Sequence, residues 1–153
     1  MSRKYTKEEI VDFLRSVSVM SIAVELDGQP ISSVLLFAVD DDLIIYFATR
    51  TDSFKSKALS KNQKISLSVW EHRKMLVQAK GFAEKITDSG ESEIALDKIV
   101  NSAQNIENFW PPILSITGGE YEIFRLKLDW IRVLDLSDLM IKEEEMPFSE
   151  FNL

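Results

Sequence analysis

The stretch YFATRTDSFKSKALSKNQKISLSVW, Tyr46 to Trp70, places two apolar runs on either side of a basic turn and helix. IIYFAT and ISLSVW are rich in β-branched and aromatic residues and read as strands. Between them lie Arg50, Lys55, Lys57, Lys61 and Lys64 with one acid, Asp52, so residues 50–64 carry a local charge of +4. The whole chain carries −7, which leaves −11 for everything outside this segment. A concentrated positive spot in an acidic protein points to a small anion bound locally.

Upstream, Thr6 and Glu9 form a capping box, and Ile10, Val11, Phe13, Leu14 and Val17 give the helix that follows an apolar face. SVMSIAVEL then alternates as a strand and ends at Asp27-Gly28, a dipeptide suited to a hairpin turn. PISSVLLFAV is the next strand, Asp40, Asp41 and Asp42 mark a turn, and LIIYFAT leads into the basic segment. Downstream, the turn Glu71-His72-Arg73-Lys74 precedes the strand MLVQAKGFAEKI, in which Gly81 marks a bulge or a close backbone approach. Asp88 to Asn108 reads as a helix burying Ile94, Leu96, Ile99, Val100 and Ala103, and ending at Trp110-Pro111-Pro112. After a turn at Gly118-Gly119, EYEIFRLKLDWIRVLDL is strand-like, alternating at Ile123, Leu126 and Leu128. Six hairpin-linked strands predict a mainly β fold, a small closed antiparallel barrel with helical excursions. A parallel α/β sheet needs a helix between most strands, and none separates the first three.

The totals agree with one domain over residues 1–153, with an N-terminal helix within 1–17 and a flexible charged tail at 140–153. The acidic balance argues against duplex nucleic acid as a partner. No apolar run approaches the roughly 20 residues of a membrane span, and MSRKYTKEE lacks a signal-peptide core. With no cysteine and one histidine, disulfides, thiol chemistry and zinc are disfavoured, and the expected location is cytoplasmic.

A helix beginning near Ser53 exposes unpaired N–H groups that favour an anion, and the hydroxyls of Thr49, Thr51 and Ser53 stand beside it. At about 100° per residue, with Phe54 at zero, Ala58 falls near 40°, Lys55 near 100° and Leu59 near 140°. Lys57 and Lys61 fall near 300° and 340°, outside that arc or at its edge. Lys55 therefore points inward, where an ammonium needs a partner, and a bound phosphate supplies one. Two plainer roles stay open: Lys55 snorkelling past Leu59, and Ser53 acting only as a helix cap.

FAT closing a strand, Ser53-Phe54-Lys55, Leu59, Asn62 and ISLSV together resemble the FMN-binding split barrels related to pyridoxamine 5′-phosphate oxidase. DGQPISSVLLFAV resembles the family's preceding hairpin, and Gly81-Phe82-Ala83-Glu84 is similar to its Gly-x-Ala-Glu strand. The resemblance implies a six-stranded antiparallel Greek-key split barrel, with the FMN phosphate at Thr49, Ser53 and Lys55. It implies that backbone groups around Ser32, Ser33, Val34 and Leu35, and at Ala48, face the isoalloxazine ring. It also implies a homodimer with flavin at the interface, and makes Trp110 a candidate contribution from the second chain. Two departures count against oxidation of pyridoxamine phosphate itself. Phe54 stands where the oxidases carry an arginine, and their arginine-rich C-terminal substrate motif has no counterpart; the general stress protein-like members are closer. The functions implied are a small-molecule FMN oxidoreductase, a non-catalytic flavin sensor, store, regulator or stress protein, or a related barrel using a deazaflavin or another phosphorylated ligand. His72 reads as an exposed turn residue, Gln78 as an outward polar residue with a weak claim on flavin, and Glu143-Glu144-Glu145 as a solvated run.

Overall fold

The computed structural model describes residues 4–103, 120–137 and 148–153. The elements in chain order are α1 (Lys7–Val17), β1 (Val19–Leu26), β2 (Gln29–Leu36), β3 (Ala38–Val39) and β4 (Ile45–Arg50). They continue with α2 (Phe54–Lys61), β5 (Lys64–Glu71), β6 (Met75–Lys85), α3 (Ser89–Ala103), β7 (Tyr121–Asp135) and β8 (Phe148–Glu150). Thr6 accepts from the Glu9 amide while the Glu9 carboxylate accepts from the Thr6 amide, so α1 starts at its capping box. Asp27 and Gly28 both take positive φ, 52° and 79°, as a tight turn between twisted strands requires.

The strand order is β2-β1-β5-β6-β7-β4-β3, with β8 added to β7, and every pairing is antiparallel. The two ends of that order are separated in sequence by Phe37 alone. The sheet thus curls until its last strand meets its first, and one bent strand closes the barrel. Its first arm pairs with β1 and its second with β4. This bend divides the single strand expected at PISSVLLFAV, and β8 is an addition, so the described residues form eight strands where six are expected. The architecture remains a mainly β split barrel, with three helices among the described residues.

Inward residues fill the barrel: Met20, Ile22 and Val24 from β1, Ile65, Leu67 and Val69 from β5, and Val77 and Ala79 from β6. Phe47 and Phe124 stack across β4 and β7 with centroids 5.3 Å apart. In β7 the buried phase runs Phe124, Leu126 and then Ile131, Val133, changing from even to odd numbers. The cause is a bulge: Lys80 pairs with Trp130 and Gly81 with Leu128, leaving Asp129 unpaired. Gly81 is required there, because a Cβ on it would lie 2.0 Å from the Lys127 carbonyl oxygen.

A second, smaller core forms where α3 packs outside β3 and β4, with Ala95, Ile99 and Ala103 against Leu36, Ala38, Ala48 and Ile123. The buried face of α3 is this spacing of four, not the wider face expected: Ile94 and Leu96 are exposed. Small side chains at Ala95 and Ala103 let the helix axis approach the sheet, which turns those two bulkier residues outward. The expected end of this helix near Asn108, with Trp110 and the Gly118-Gly119 turn, lies outside the described residues, as do Glu143-Glu144-Glu145. Residues 148–150, part of the expected tail, are a strand paired with β7. Among the described residues no helix is long and apolar enough to cross a membrane.

Candidate functional site

The site begins where β4 ends. Thr49, 3% exposed, comes within 2.9 Å of Ser53, hydroxyl to hydroxyl, across the turn into α2. The Ser53 hydroxyl also accepts from the Ser56 amide at 3.1 Å, so it caps the helix. Each hydroxyl carries one proton, and their mutual bond uses one of the two. One O–H is left to donate to a ligand, so capping and ligand binding are compatible. The N–H groups of Phe54 and Lys55, in the first turn, have no acceptor among the described residues. Thr51 differs from the expectation: its hydroxyl donates to the Glu120 carbonyl at 2.7 Å and is spent there.

The five cations of the basic segment separate by environment. Arg50 pairs with Asp52 at 2.9 Å and Lys61 with Asp27 at 3.0 Å, both at the surface. Lys57 is exposed, with its ammonium 5.7 Å from the centre of the Phe54 ring, and Lys64 is exposed. Lys55 is partly buried and forms no ion pair among the described residues. Burial holds its ammonium below the ordinary lysine range, and no neighbouring carboxylate opposes that shift. The helical arc places it between Ala58 and Leu59 as expected, but Phe54 does not belong to that arc. It is 64% exposed, and Ser56 completes the buried side instead. The Ser56 hydroxyl donates to the Glu122 carboxylate, which also pairs with Lys85 at 3.2 Å. That carboxylate tethers the first turn of α2 to β7 while Lys85 offsets its charge.

The second group of expected residues lies on the bent strand. Continuing the Ala38–Tyr46 register backwards would set Leu36 against Ala48, but β2 pairs with β1 there and β4 with β7. A gap therefore opens from Phe37, with β2 along one wall and Ala48 and Thr49 on the other. Ser32 and Val34 are exposed, Leu35 turns into the barrel core, and the Ala48 side chain lies under α3. Only the backbone edges at these last two positions are free to meet a ligand. The Ser33 hydroxyl is buried without a hydrogen-bond partner among the described residues, and such a group costs free energy until something satisfies it. A half-buried unpaired ammonium, a spare hydroxyl proton, two open helix amides and an orphan hydroxyl suit a phosphorylated ligand with polar ring edges.

Near Phe37, a cavity of about 530 Å³ is lined by Phe37, Ala38 and Val39 together with Arg15, Lys98 and Ser102. It extends from the apex of the gap towards α1 and α3, and its sequence signal, single polar residues on two helices, carries no motif. His72 is exposed in its turn, as expected. Gln78 is engaged by the protein, accepting from Arg132 Nε at 2.8 Å.

The sequence profile of pyridoxamine 5′-phosphate oxidase matches residues 6–135, from the cap of α1 to the end of β7. The chain belongs to the pyridoxamine 5′-phosphate oxidase family. No curated protein sequence matches it. Among solved structures, a conserved hypothetical protein of Mycobacterium tuberculosis superposes with a TM-score of 0.74 at 19% identity, over 95% of this chain and 96% of that one. An FAD-binding protein of Mesorhizobium loti gives 0.64 at 19% identity, over 87% and 95%. General Stress Protein 26 of Bacillus anthracis gives 0.64 at 18%, over 84% and 93%. At these identities the likeness is one of fold, and it extends over nearly the whole barrel.

Proposed function

We propose that the protein is an FMN-binding flavoprotein, homodimeric, and a small-molecule oxidoreductase of the family other than a pyridoxamine phosphate oxidase. The observation that carries this reading is Lys55, an ammonium partly withdrawn from water and without an ion pair among the described residues, two positions after Ser53 of the Thr49–Ser53 hydroxyl pair. A phosphate there offsets the cost of burying the charge and accepts the spare hydroxyl proton and the first-turn amides. The free edges at Ser32 to Leu35 and at Ala48 then take the polar rim of the ring, and the Ser33 hydroxyl finds its partner. When bound, FMN supplies hydride or electron transfer, and the protein supplies position and exclusion of water. The cavity at Phe37 leaves room for a substrate beside the ring, and its two bases, Arg15 and Lys98, are matched there by Asp40 and Asp41.

The outer sheet face supports the homodimer. Val34 and Trp70 are large apolar residues, 52% and 60% exposed, among the small hydroxyls of Ser21, Ser66 and Ser68. A second copy covering this face would bring its own residues to the gap. A cytoplasmic location belongs to the same reading.

Titration with FMN tests it: flavin fluorescence should quench and the visible spectrum shift, and a titration with neither effect defeats the reading. Oxidation of NAD(P)H by the holoprotein above the rate of free FMN supports the oxidoreductase. Failure with a broad panel of donors and acceptors supports a sensor or store, and tight deazaflavin binding without FMN binding selects the deazaflavin barrel. Sedimentation should give a dimer; a monomer binding flavin at full strength contradicts the shared site.

A further inference from the structure

On the outer face of the barrel, away from β4 and α2, a second cationic cluster is built by β6, β7 and β8. Lys80 pairs across the sheet with Trp130, Gln78 with Arg132, and Glu150 stands directly opposite Arg132 on the other side. The Arg132 guanidinium carbon lies 3.8 Å from the centre of the Phe148 ring and 5.4 Å from that of Trp130. Its Nε donates to Gln78 Oε1 at 2.8 Å. Lys80 Nζ is 5.5 Å from the same Trp130 ring. Two aromatic rings and one hydrogen bond thus hold the plane of the guanidinium, so little side-chain freedom is left to lose on binding.

An arginine and a glutamate directly opposed in an antiparallel pair are placed to form an ion pair. These two do not. The Glu150 carboxylate accepts instead from the Trp130 indole N–H at 3.2 Å. Among the described residues, no carboxylate lies within ion-pair distance of Arg132. Its Nη1 and Nη2 groups donate to no protein acceptor there, although Nε is engaged. Gln78, Trp130, Arg132 and Phe148 are only partly accessible, while Lys80 and Glu150 are exposed, and the partial burial strengthens a charge–charge contact relative to open water.

We propose that Arg132 is the anchor of a carboxylate-binding site for a small organic acid. The carboxylate bridges the two Nη groups end-on, a fit that the planar fork provides and an ammonium does not. The body of the acid lies against Trp130 and Phe148, and Lys80 meets a second negative group where the ligand has one. Glu150, held by the indole, keeps its charge turned to Trp130 and leaves the guanidinium to the ligand. Gln78 pairs with Ser68 and Lys80 with Ser66, so the site borders the sheet face offered to a second copy and uses no residue of the gap between β2 and β4.

Nuclear magnetic resonance of the Trp130 indole N–H, assigned with Trp130→Phe, tests the site using sodium benzoate as probe. The titration is run with and without FMN, so that it stands whatever becomes of the flavin reading. A saturable shift is expected. Arg132→Lys, which keeps the charge, should weaken it about tenfold or more because one ammonium cannot bridge both oxygens. Gln78→Ala, which leaves the aromatic stack in place, should weaken it several-fold. No saturable shift, or Arg132→Lys titrating like the native protein, overturns the proposal. Inorganic phosphate titrated in parallel separates the two sources of an oxyanion: saturation by phosphate without benzoate overturns the assignment to a carboxylate.

Discussion

The two ends of α2 are made of the same materials and behave differently. At its start, Lys55 is partly buried, follows the Thr49–Ser53 hydroxyl pair in the chain, and forms no ion pair among the described residues. At its end, Lys61 pairs with Asp27 in open solvent, and Asn62 donates to Glu25 at 3.3 Å. Both lysines count equally in a net charge. Only the first is a cation for which water has been partly removed and nothing substituted. The lesson is that a ligand site is marked less by positive charge than by positive charge left without compensation.

The comparison breaks most directly at Lys55. Lys55→Ala should weaken FMN binding by about 10- to 100-fold, the range for a hydrogen bond to a charged group. Lys57→Ala and Lys61→Ala should each change it by less than about threefold, since exposed charges are screened. Equal losses in isothermal titration would mean that bulk charge alone governs binding.

Alkaline pH should reproduce the same loss without a mutation. Because burial lowers the Lys55 pKa in the folded protein, its proton leaves at a pH below that of the unfolded chain. Between those two values the unfolded state binds more protons, so this group makes the ligand-free protein more stable as pH rises. FMN affinity should fall over the same window, because the phosphate loses its ammonium. Thermal melts and flavin titrations across that range should therefore move in opposite directions, and Lys55→Met should flatten both. Parallel trends would show that Lys55 is not the titrating group.

Ser53→Ala should have an intermediate effect. It removes both the cap and one member of the hydroxyl pair, at a cost of about 1 kcal/mol in stability, with a weaker hold on FMN. Thr49→Val keeps the cap, so a similar loss of FMN affinity without the loss of stability would separate the two roles. The smallest effect belongs to Lys61→Ala, within about 0.5 kcal/mol by denaturant unfolding, as for other exposed ion pairs.

Much of this contrast was legible in the residues. Lys55 emerged from helical spacing, and the Gly81 irregularity from a glycine within a strand pattern. Phe54, the origin of the angular arc, lies outside the buried side of the helix. Its exposure depends on how α2 sits on β1 and β4, which spacing along one helix does not contain. The face of α3 was misjudged in the same way, since alanine marks close approach as effectively as leucine marks burial. The spent hydroxyl of Thr51 and the bend at Phe37 both depend on partners far along the chain. Thr51 meets Glu120 across 69 residues. Arg132, Gln78, Trp130 and Phe148 carry no shared motif, and only strand register brings them together.

The bend at Phe37 has a consequence for how the barrel can move. Elsewhere the wall is held by ladders of backbone hydrogen bonds, and widening it means breaking them. Along the gap between β2 and β4 the wall is joined by the chain itself, so a change of dihedral angles at one residue alters its girth without breaking a backbone ladder. Amide hydrogens on the facing edges of that seam should exchange with solvent well before those shared by β6 and β7, and a ligand seated there should slow them. The protein can therefore breathe along a single line while the rest of the wall stays shut.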